Sequence, residues 1–235
     1  MELAKDCIDV GIFTNQIDEM RAFYDERIKL PYEELLPVGG GVRQYRYGLL
    51  GSVLKINHSR DPLPERPPGG YSRVIIADHR TPIPFALIDP DGNQIQLVPG
   101  GHFGIDQIGI HLGVTNEADF DRFYGEVLGA EKLARQRYRL GKTVLSFELD
   151  PKARRAERGA SDVPGSMRAV GIRYMTIQVR DCNAEFKHFM RSGVWEGSAP
   201  ITLGAVARIC FIRDPDGNWI EISQRASLTG PVPKD

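Results

Sequence analysis

The chain has 235 residues, and its 30 basic and 31 acidic side chains give a formal net charge of -1. This near-neutral balance argues against nucleic acid or an anionic membrane surface as a partner, because neither would meet a broad positive field. No apolar run approaches the roughly 20 residues that span a bilayer. The first residues lack the apolar segment of a secretory signal, and we therefore expect a cytoplasmic location. Three unclustered cysteines predict neither a disulfide framework nor a thiolate zinc site.

The first half of the chain predicts two units, of which the second lacks a helix. Met20, Phe23 and Ile28 lie at helical spacing and predict the first helix. After the second unit's first strand, residues 79–84 are rich in proline and leave no room for a helix. By their apolar patterns, strands are predicted over residues 7–14, 43–47, 52–57, 73–77 and 85–88.

The second half repeats this order, with a helix in each unit. Helices are predicted over residues 117–127 and 183–192. Residues 150–168 are charged and short of large apolar groups, which predicts a linker that overhangs the cup of the last two units. Strands are predicted over residues 108–114, 132–138, 143–149, 172–179, 205–213 and 219–223.

An internal repeat relates the two halves. The string Asp-Pro-Asp-Gly-Asn starts at Asp89 and again at Asp214, and each copy predicts a tight hairpin turn. A Phe-Tyr pair precedes each turn in the same order, at 23–24 and at 123–124. The predicted organisation is therefore two domains of two paired βαβββ units, of which the first is structural, followed by a short tail. Their predicted ranges are 1–100, 101–229 and, for the tail, 230–235.

Four βαβββ units with these turns and Phe-Tyr pairs resemble the vicinal oxygen chelate superfamily. Its members include glyoxalase I, bleomycin-binding proteins and extradiol ring-cleaving dioxygenases. The resemblance covers roughly residues 7–225 and implies an α+β fold of four βαβββ units. The units are expected to pair into two open cup-shaped mixed sheets, with the second unit lacking its helix. Four units in one chain look most like the extradiol dioxygenases, in which the second pair carries the metal.

The resemblance also implies where site residues lie, namely on the first and last strands of each unit. In the first pair, two of the four positions are occupied by Lys55 and Arg73, whose cations donate no lone pair to a metal. This favours a salt-bridge network of Asp9 with Arg73 and Lys55. An anion-binding cup is the alternative. The four positions of the first pair fall at Asp9, Lys55, Arg73 and Gln96.

In the second pair, Tyr174 stands where the family usually has a second histidine. A shifted alignment would put Gln107 in the place of His111, and Ser146 shares a strand face with Glu148, so these alternatives stay open. The four positions fall at His111, Glu148, Tyr174 and Glu221.

These positions predict a site in the second pair of units. One divalent ion (Fe, Mn, Zn, Ni or Mg) could be held by His111, Glu221 and Glu148. The tyrosine in place of a histidine equally allows a site without metal. The candidate catalytic residues are His111, Tyr174 and Glu221, and the candidate substrate-binding residues are Gln107, Gln178 and Trp219.

Three functions are compatible with this site, and an enzyme is favoured over a binding protein. The first is metal-assisted lyase, isomerase or dioxygenase-like chemistry on a small oxygenated metabolite, which could be aromatic. The second is a metal-free isomerase or epimerase in which Glu221 transfers a proton. The third is a non-catalytic drug-binding or resistance protein, with Trp219 and Tyr174 stacking on the ligand. A homodimer is also expected, since exposed sheet edges often pair.

Overall fold

The computed structural model describes residues 1–66, 70–156 and 167–234. Most of the predicted linker over 150–168 therefore lies outside the described residues. None of the helices in the described ranges is long and apolar enough to cross a membrane. The strands are β1 (Asp9–Thr14), β2 (Tyr32–Gly39), β3 (Val42–Leu49), β4 (Ser52–Ser59), β5 (Gly70–Ala77), β6 (Phe85–Ile88), β7 (Gln94–Val98), β8 (Ile108–Val114), β9 (Glu131–Ala134), β10 (Arg137–Leu140), β11 (Thr143–Leu149), β12 (Gly171–Gln178), β13 (Trp195–Leu203), β14 (Ala207–Arg213) and β15 (Trp219–Arg225).

In the described ranges, four short α-helices accompany the strands, and the first two continue as π-helical turns over Ala22–Arg27 and Asp121–Val127. The side chain of Asn116 caps the second helix, and the side chain of Asp181 caps the third, each by accepting a backbone N–H. The helices are α1 (Ile17–Arg21), α2 (Glu117–Phe120), α3 (Cys182–Arg191) and α4 (Ala226–Thr229).

The strands form two mixed sheets, as predicted. One sheet has eight strands in the order β13-β14-β15-β12-β1-β4-β3-β2, and the other has seven in the order β6-β7-β5-β8-β11-β10-β9. Within each unit the first and last strands run parallel. Two units join where their first strands pair antiparallel, β1 with β12 and β5 with β8. The predicted fold class is confirmed.

The pairing of units differs from the prediction. Unit one shares a sheet with unit four, and unit two shares a sheet with unit three, so consecutive units do not pair as 1–2 and 3–4. The ranges 1–100 and 101–229 mark the two halves of the sequence repeat, but each sheet takes strands from both halves. The repeat identifies the first strand of each of the four units, and each of these strands has one edge free for pairing. It contains no information about which two first strands pair with each other.

Unit two is more eroded than predicted. It lacks its helix, as expected, and among the described residues it also has one strand fewer than the other units. The single strand predicted over 132–138 is a hairpin of β9 and β10, with Gln136 at a φ of 59° in the turn. Strands β2 and β13 were not predicted, because these edge strands are largely exposed and show no clear alternation of apolar and polar residues.

Both sheets bury one face in a shared core. Alternate residues of a strand face opposite sides, so the residues between the core positions point outward. One continuous apolar cluster contains the inward residues of both sheets, including Val10, Ile12, Ile110, Leu112, Ile220 and Ile222. The outward faces of the two sheets therefore point away from each other, on opposite sides of the molecule.

The repeated turn and the repeated Phe-Tyr pair contact each other. The Tyr24 hydroxyl donates to the Asp89 carboxylate at 2.9 Å, and the Tyr124 hydroxyl donates to Asp214 at 3.4 Å. Each aspartate also accepts the backbone N–H four residues later, which closes the turn. Burial raises the pKa of Asp214 to about 7. These bonds link unit one to unit two and unit three to unit four, which explains why the two motifs occur together in each half.

Candidate functional site

His111 and Glu221 lie on opposite faces of the protein. The neighbours of His111 in β8, Ile110 and Leu112, are buried in the same core as the neighbours of Glu221 in β15. Both side chains therefore point outward, but from different sheets. The prediction that the imidazole and the carboxylate face one hollow is wrong, because it assumed that units three and four form one sheet.

The outward face of β1, β4, β12 and β15, which we call the closed cup, contains an ionic cluster around Lys55. Its ammonium lies 2.6 Å from Thr176 Oγ1, 3.3 Å from Glu221 Oε2 and 3.9 Å from Asp9 Oδ2. The Thr176 hydroxyl also donates to Glu221 at 2.6 Å. The predicted ion pair of Asp9 with Lys55 is confirmed. The predicted pair of Asp9 with Arg73 is wrong, because Arg73 belongs to the other sheet.

The N-terminal segment covers one end of the closed cup. Lys5 reaches Asp9 Oδ1 at 2.5 Å, and Leu3 forms a bridge with Val179 at the end of β12. The backbone N–H of Ala4 donates to the carbonyl oxygen of Gln178 at 2.9 Å. Gln178 was predicted to bind substrate, and in the structure it is only 2% exposed. This end of the cup is therefore packed against the chain itself.

Tyr174 fills the middle of the closed cup. Its ring lies over Gly11, where an added Cβ would overlap Tyr174 Cε1. Its hydroxyl oxygen accepts from Asn57 Nδ2 at 3.2 Å and from Gln44 Nε2 at 3.5 Å. Burial, reinforced by the charge of Glu221, raises the pKa of the Tyr174 phenol far above its ordinary value. Tyr174 thus acts in packing and hydrogen bonding inside this cup.

Trp219 is packed against Tyr174 in the same cup. It belongs to an apolar cluster with Phe13 and Tyr174, and the guanidinium of Arg213 lies 3.7 Å from its ring centroid. Trp219 and Tyr174 are 7% and 5% exposed. Neither ring presents a face to solvent for stacking on a ligand, which removes the recognition surface on which the drug-binding hypothesis depended.

The outward face of β5, β7, β8, β10 and β11, which we call the open cup, carries a row of polar residues across its strands. Directly paired residues share a face, so the register of these strands aligns the row. All members of the row are partly or fully accessible. In spatial order they are Gln94, Arg73, His111, Ser146 and Arg137.

His111 bridges a hydroxyl and a carboxylate at the centre of this row. Its Nδ1 lies 2.8 Å from Ser146 Oγ, and its Nε2 lies 3.3 Å from Glu148 Oε1. Burial lowers the pKa of His111 below its ordinary value, although the charge and hydrogen bond of Glu148 oppose this and Arg73 reinforces it. The lowered pKa favours the neutral imidazole. Because a carboxylate only accepts, we assign the proton to Nε2, and the Ser146 hydroxyl then donates to Nδ1.

The register of β8 decides between the two alignments considered for this strand. His111 pairs with Arg73 and Ser146 in the polar row. Gln107 comes one residue before β8, is 7% exposed, and borders a separate cavity of about 260 Å3 beside the end of the first helix. The far end of the open cup is apolar, because Ile105 packs over Gly109 there and joins a small hydrophobic cluster.

The predicted metal ligands do not converge. His111 and Glu148 are neighbours, but Glu221 lies on the opposite face of the protein. The described residues contain no group of three His, Cys, Asp or Glu side chains placed to hold a metal ion. Protein sites for zinc and non-haem iron use three or four such ligands. Among the residues that the structure describes, the open cup offers two, with the cation of Arg73 beside them, so these residues do not fit the metal that the resemblance implies.

Three residues of the row, Gln94, Ser146 and Arg137, were missed or left open by the sequence. Ser146 and Glu148 were alternatives for one position, and in the structure both contact His111. Arg137 was missed because it fell inside a region predicted as one strand, although the turn before it separates β9 from β10. The alternation of Arg137 and Arg139 with buried Tyr138 and Leu140 was the available signal.

The fold has known counterparts. A model of the Glyoxalase/Bleomycin resistance protein/Dioxygenase superfamily matches residues 104–222, which is just over half of the chain. Glyoxalase I from Zea mays superposes with a TM-score of 0.72 at 13% identity, over 95% of this chain and 92% of that one. The cppA protein from Streptococcus pneumoniae TIGR4 superposes with a TM-score of 0.56 at 10% identity, over 95% and 100%. No curated protein matches the sequence. At these identities, the structural likeness shows the fold alone.

Proposed function

We propose that this chain, which belongs to the Glyoxalase/Bleomycin resistance protein/Dioxygenase superfamily, is an enzyme that transfers protons on a small oxygenated metabolite bound in the open cup. The observation that carries the proposal is the contact chain of Ser146, His111 and Glu148 at the centre of an accessible polar face. The reaction class is removal of a proton next to a carbonyl, followed by its return to a different atom, as in isomerisation, or to the opposite face of the same carbon, as in epimerisation.

His111 is the residue that exchanges the proton in this proposal. The Glu148 side chain is 64% exposed and its contact with Nε2 is long, so a substrate can displace it and reach Nε2. A serine hydroxyl both donates and accepts, and Ser146 can therefore hold Nδ1 in either tautomer. Consequently Nε2 can take a proton from the substrate in one tautomer and donate one in the other.

The acid–base role is thus moved from Glu221 to His111. In the closed cup, Glu221 Oε2 already accepts from Lys55 and Thr176. We assign no step to a metal, because a third ligand beside His111 and Glu148 is missing from the described residues. The partner of the open cup is a small molecule, and the homodimer stays a prediction.

A pair of matched variants tests the proposal. Deuterium uptake from D2O into a panel of 2-oxo acids and hydroxyketones would be followed by proton NMR, with and without a metal chelator. We expect His111→Gln to slow uptake by about 10²–10⁴-fold, the usual contribution of an acid–base residue. Glu221→Gln, on the opposite face, should retain uptake, with folding of both variants checked by circular dichroism. Loss of uptake in Glu221→Gln with retention in His111→Gln, or loss on adding the chelator, would contradict the proposal.

A further inference from the structure

We infer that the substrate of the open cup carries two anionic groups, one bound by Arg73 and the other by Arg137. The inference rests on the proposed function, because it names the substrate class of the same site. Its basis is the position and environment of two guanidinium groups on either side of His111.

Arg73 is held in place without being neutralised. It is the direct cross-strand neighbour of His111, and its charge contributes to the lowered pKa of that imidazole. Its Nε and Nη2 each donate to Gln94 Oε1 at 3.2 Å, and its Nη1 donates to Gln96 Oε1 at 3.4 Å. Amide oxygens orient a guanidinium but carry no charge to offset it. Within the described ranges, Arg73 has no carboxylate partner.

Arg137 is held by an aromatic ring instead. It is the direct cross-strand neighbour of Ser146, and its guanidinium lies 4.4 Å from the ring centroid of Phe103. In the part of the chain that the structure describes, Arg137 likewise meets no carboxylate. Arg139, two residues further along the same strand, does have a carboxylate partner, because it pairs with Glu131 at 2.7 Å. Stacking fixes the guanidinium of Arg137 and leaves its outer N–H groups for an anion.

The spacing of the strands places the acid–base group between the two cations. Arg73 and Arg137 lie in β5 and β10, which are separated by β8 and β11. Three strand steps of about 4.8 Å put their backbones about 14 Å apart. His111 and Ser146 lie between them in the same row. A molecule bound at both arginines must therefore cross the imidazole.

This arrangement favours a small dicarboxylic acid. A guanidinium binds a carboxylate through two parallel hydrogen bonds, and two guanidinium groups can each bind one end of such a molecule. The carboxylate of Glu148 contacts His111 and lies outside the arginine pairings. A monoanion would leave one of the two cations unpaired. A dianion would hold its central carbons, where a proton next to a carbonyl would be removed, over His111.

Binding of simple diacids tests the inference independently of turnover. Isothermal titration calorimetry at fixed ionic strength would compare succinate, glutarate and adipate with the monocarboxylates of equal length, butyrate, valerate and hexanoate. We expect the best diacid to bind at least about tenfold more tightly, since each charged hydrogen-bonded contact contributes more than 1.4 kcal/mol. Arg73→Gln and Arg137→Gln should each abolish this difference. Arg139→Gln, on the same strand face but with its charge already paired, should preserve it.

The outcomes separate this inference from the proposed function. His111→Gln should keep diacid binding while losing deuterium uptake. Diacid binding without uptake in the parent protein would uphold the substrate class and overturn the acid–base role. Equal affinity for both acid series, binding unchanged in both arginine variants, or no binding of any diacid would overturn the inference, and uptake into monoanionic substrates could then still support the proposed function. Circular dichroism of each variant confirms that a loss of binding is not a loss of fold.

Discussion

The closed cup and the open cup use equivalent strand positions for different purposes. In the closed cup, Lys55 pairs with both Asp9 and Glu221. Asp9 and Lys55 are buried, and Glu221, whose side chain is 14% exposed, is bonded to Lys55 and Thr176. In the open cup, His111 is exposed to the same extent, at 15%, but its partner Glu148 is 64% exposed, and Arg73 beside it has no carboxylate partner among the described residues. Buried charges that are paired mainly maintain one packed arrangement, whereas accessible groups with unused bonding capacity can act on a ligand. We therefore expect substitutions in the closed cup to lower the stability of the fold and substitutions in the open cup to change function.

The largest expected effect is the loss of the ammonium group in the closed cup. Lys55→Met leaves Asp9 and Glu221 as neighbouring carboxylates without their shared cation, which should lower the free energy of unfolding by about 3–5 kcal/mol. Arg73→Gln in the open cup should change it by less than about 1 kcal/mol. Guanidinium chloride unfolding of both variants measures the difference. Equal losses of unfolding free energy in the two variants would mean that the cation of the closed cup contributes no more to stability than the cation of the open cup.

A smaller effect is expected from Gly11, on which the ring of Tyr174 lies. In Gly11→Ala the new methyl group overlaps that ring, which should lower the free energy of unfolding by about 1–3 kcal/mol. In the open cup, a Cβ at Gly109 would meet the flexible end of Ile105 at 2.7 Å, so Gly109→Ala should lower it less. Thermal and chemical unfolding of the two alanine variants would show which of them loses more stability.

A double-mutant cycle sharpens this prediction. With Tyr174→Ala as background, the space over Gly11 is free, and adding Gly11→Ala should change stability by no more than a few tenths of a kcal/mol. An unchanged penalty in that background would mean that the glycine is required for its backbone rather than for the ring.

The smallest expected effect concerns the pH dependence of the open cup. The contact with Glu148 raises the pKa of His111, so Glu148→Gln should lower that pKa further. If neutral His111 is the active form, the acid limb of kcat/KM then moves to lower pH, by less than about one pH unit because Glu148 is mostly exposed. NMR titration of the His111 ring protons gives the pKa directly. Glu221→Gln serves as the control and should leave it unchanged, while a shift to higher pKa in Glu148→Gln would refute the assignment.

Local patterns in the sequence predicted the units but not their partners. The turns at Asp89 and Asp214 and the outward direction of His111 follow from turn chemistry and from strand alternation, which are properties of short segments. The pairing of β1 with β12 depends on which free edges meet across most of the chain, and no short segment encodes that choice. One wrong pairing was enough to put His111 and Glu221 in the same predicted site.

The sequence also could not predict that packed side chains fill one of the two cups. Trp219 and Tyr174 are residue types that often bind ligands, and their burial, with the ring of Tyr174 lying over Gly11, becomes visible only in the folded structure. In the open cup, alternation could have identified Arg137, but that no carboxylate of the described residues pairs with it is a property of the folded arrangement.

The two kinds of contact between units connect all four in a circle. Sheet pairing joins unit one to four and unit two to three, while the Tyr24–Asp89 and Tyr124–Asp214 bonds join one to two and three to four. A fragment cut at residue 100 would carry the unpaired edges of both β1 and β5. Two copies of such a half could complete each other by antiparallel pairing of those edges, as in an exchanged dimer. The present chain thus has the arrangement of such a dimer with its halves joined covalently. In one chain the two cups need not be identical, and here one is filled by an ionic cluster while the other carries an accessible polar row.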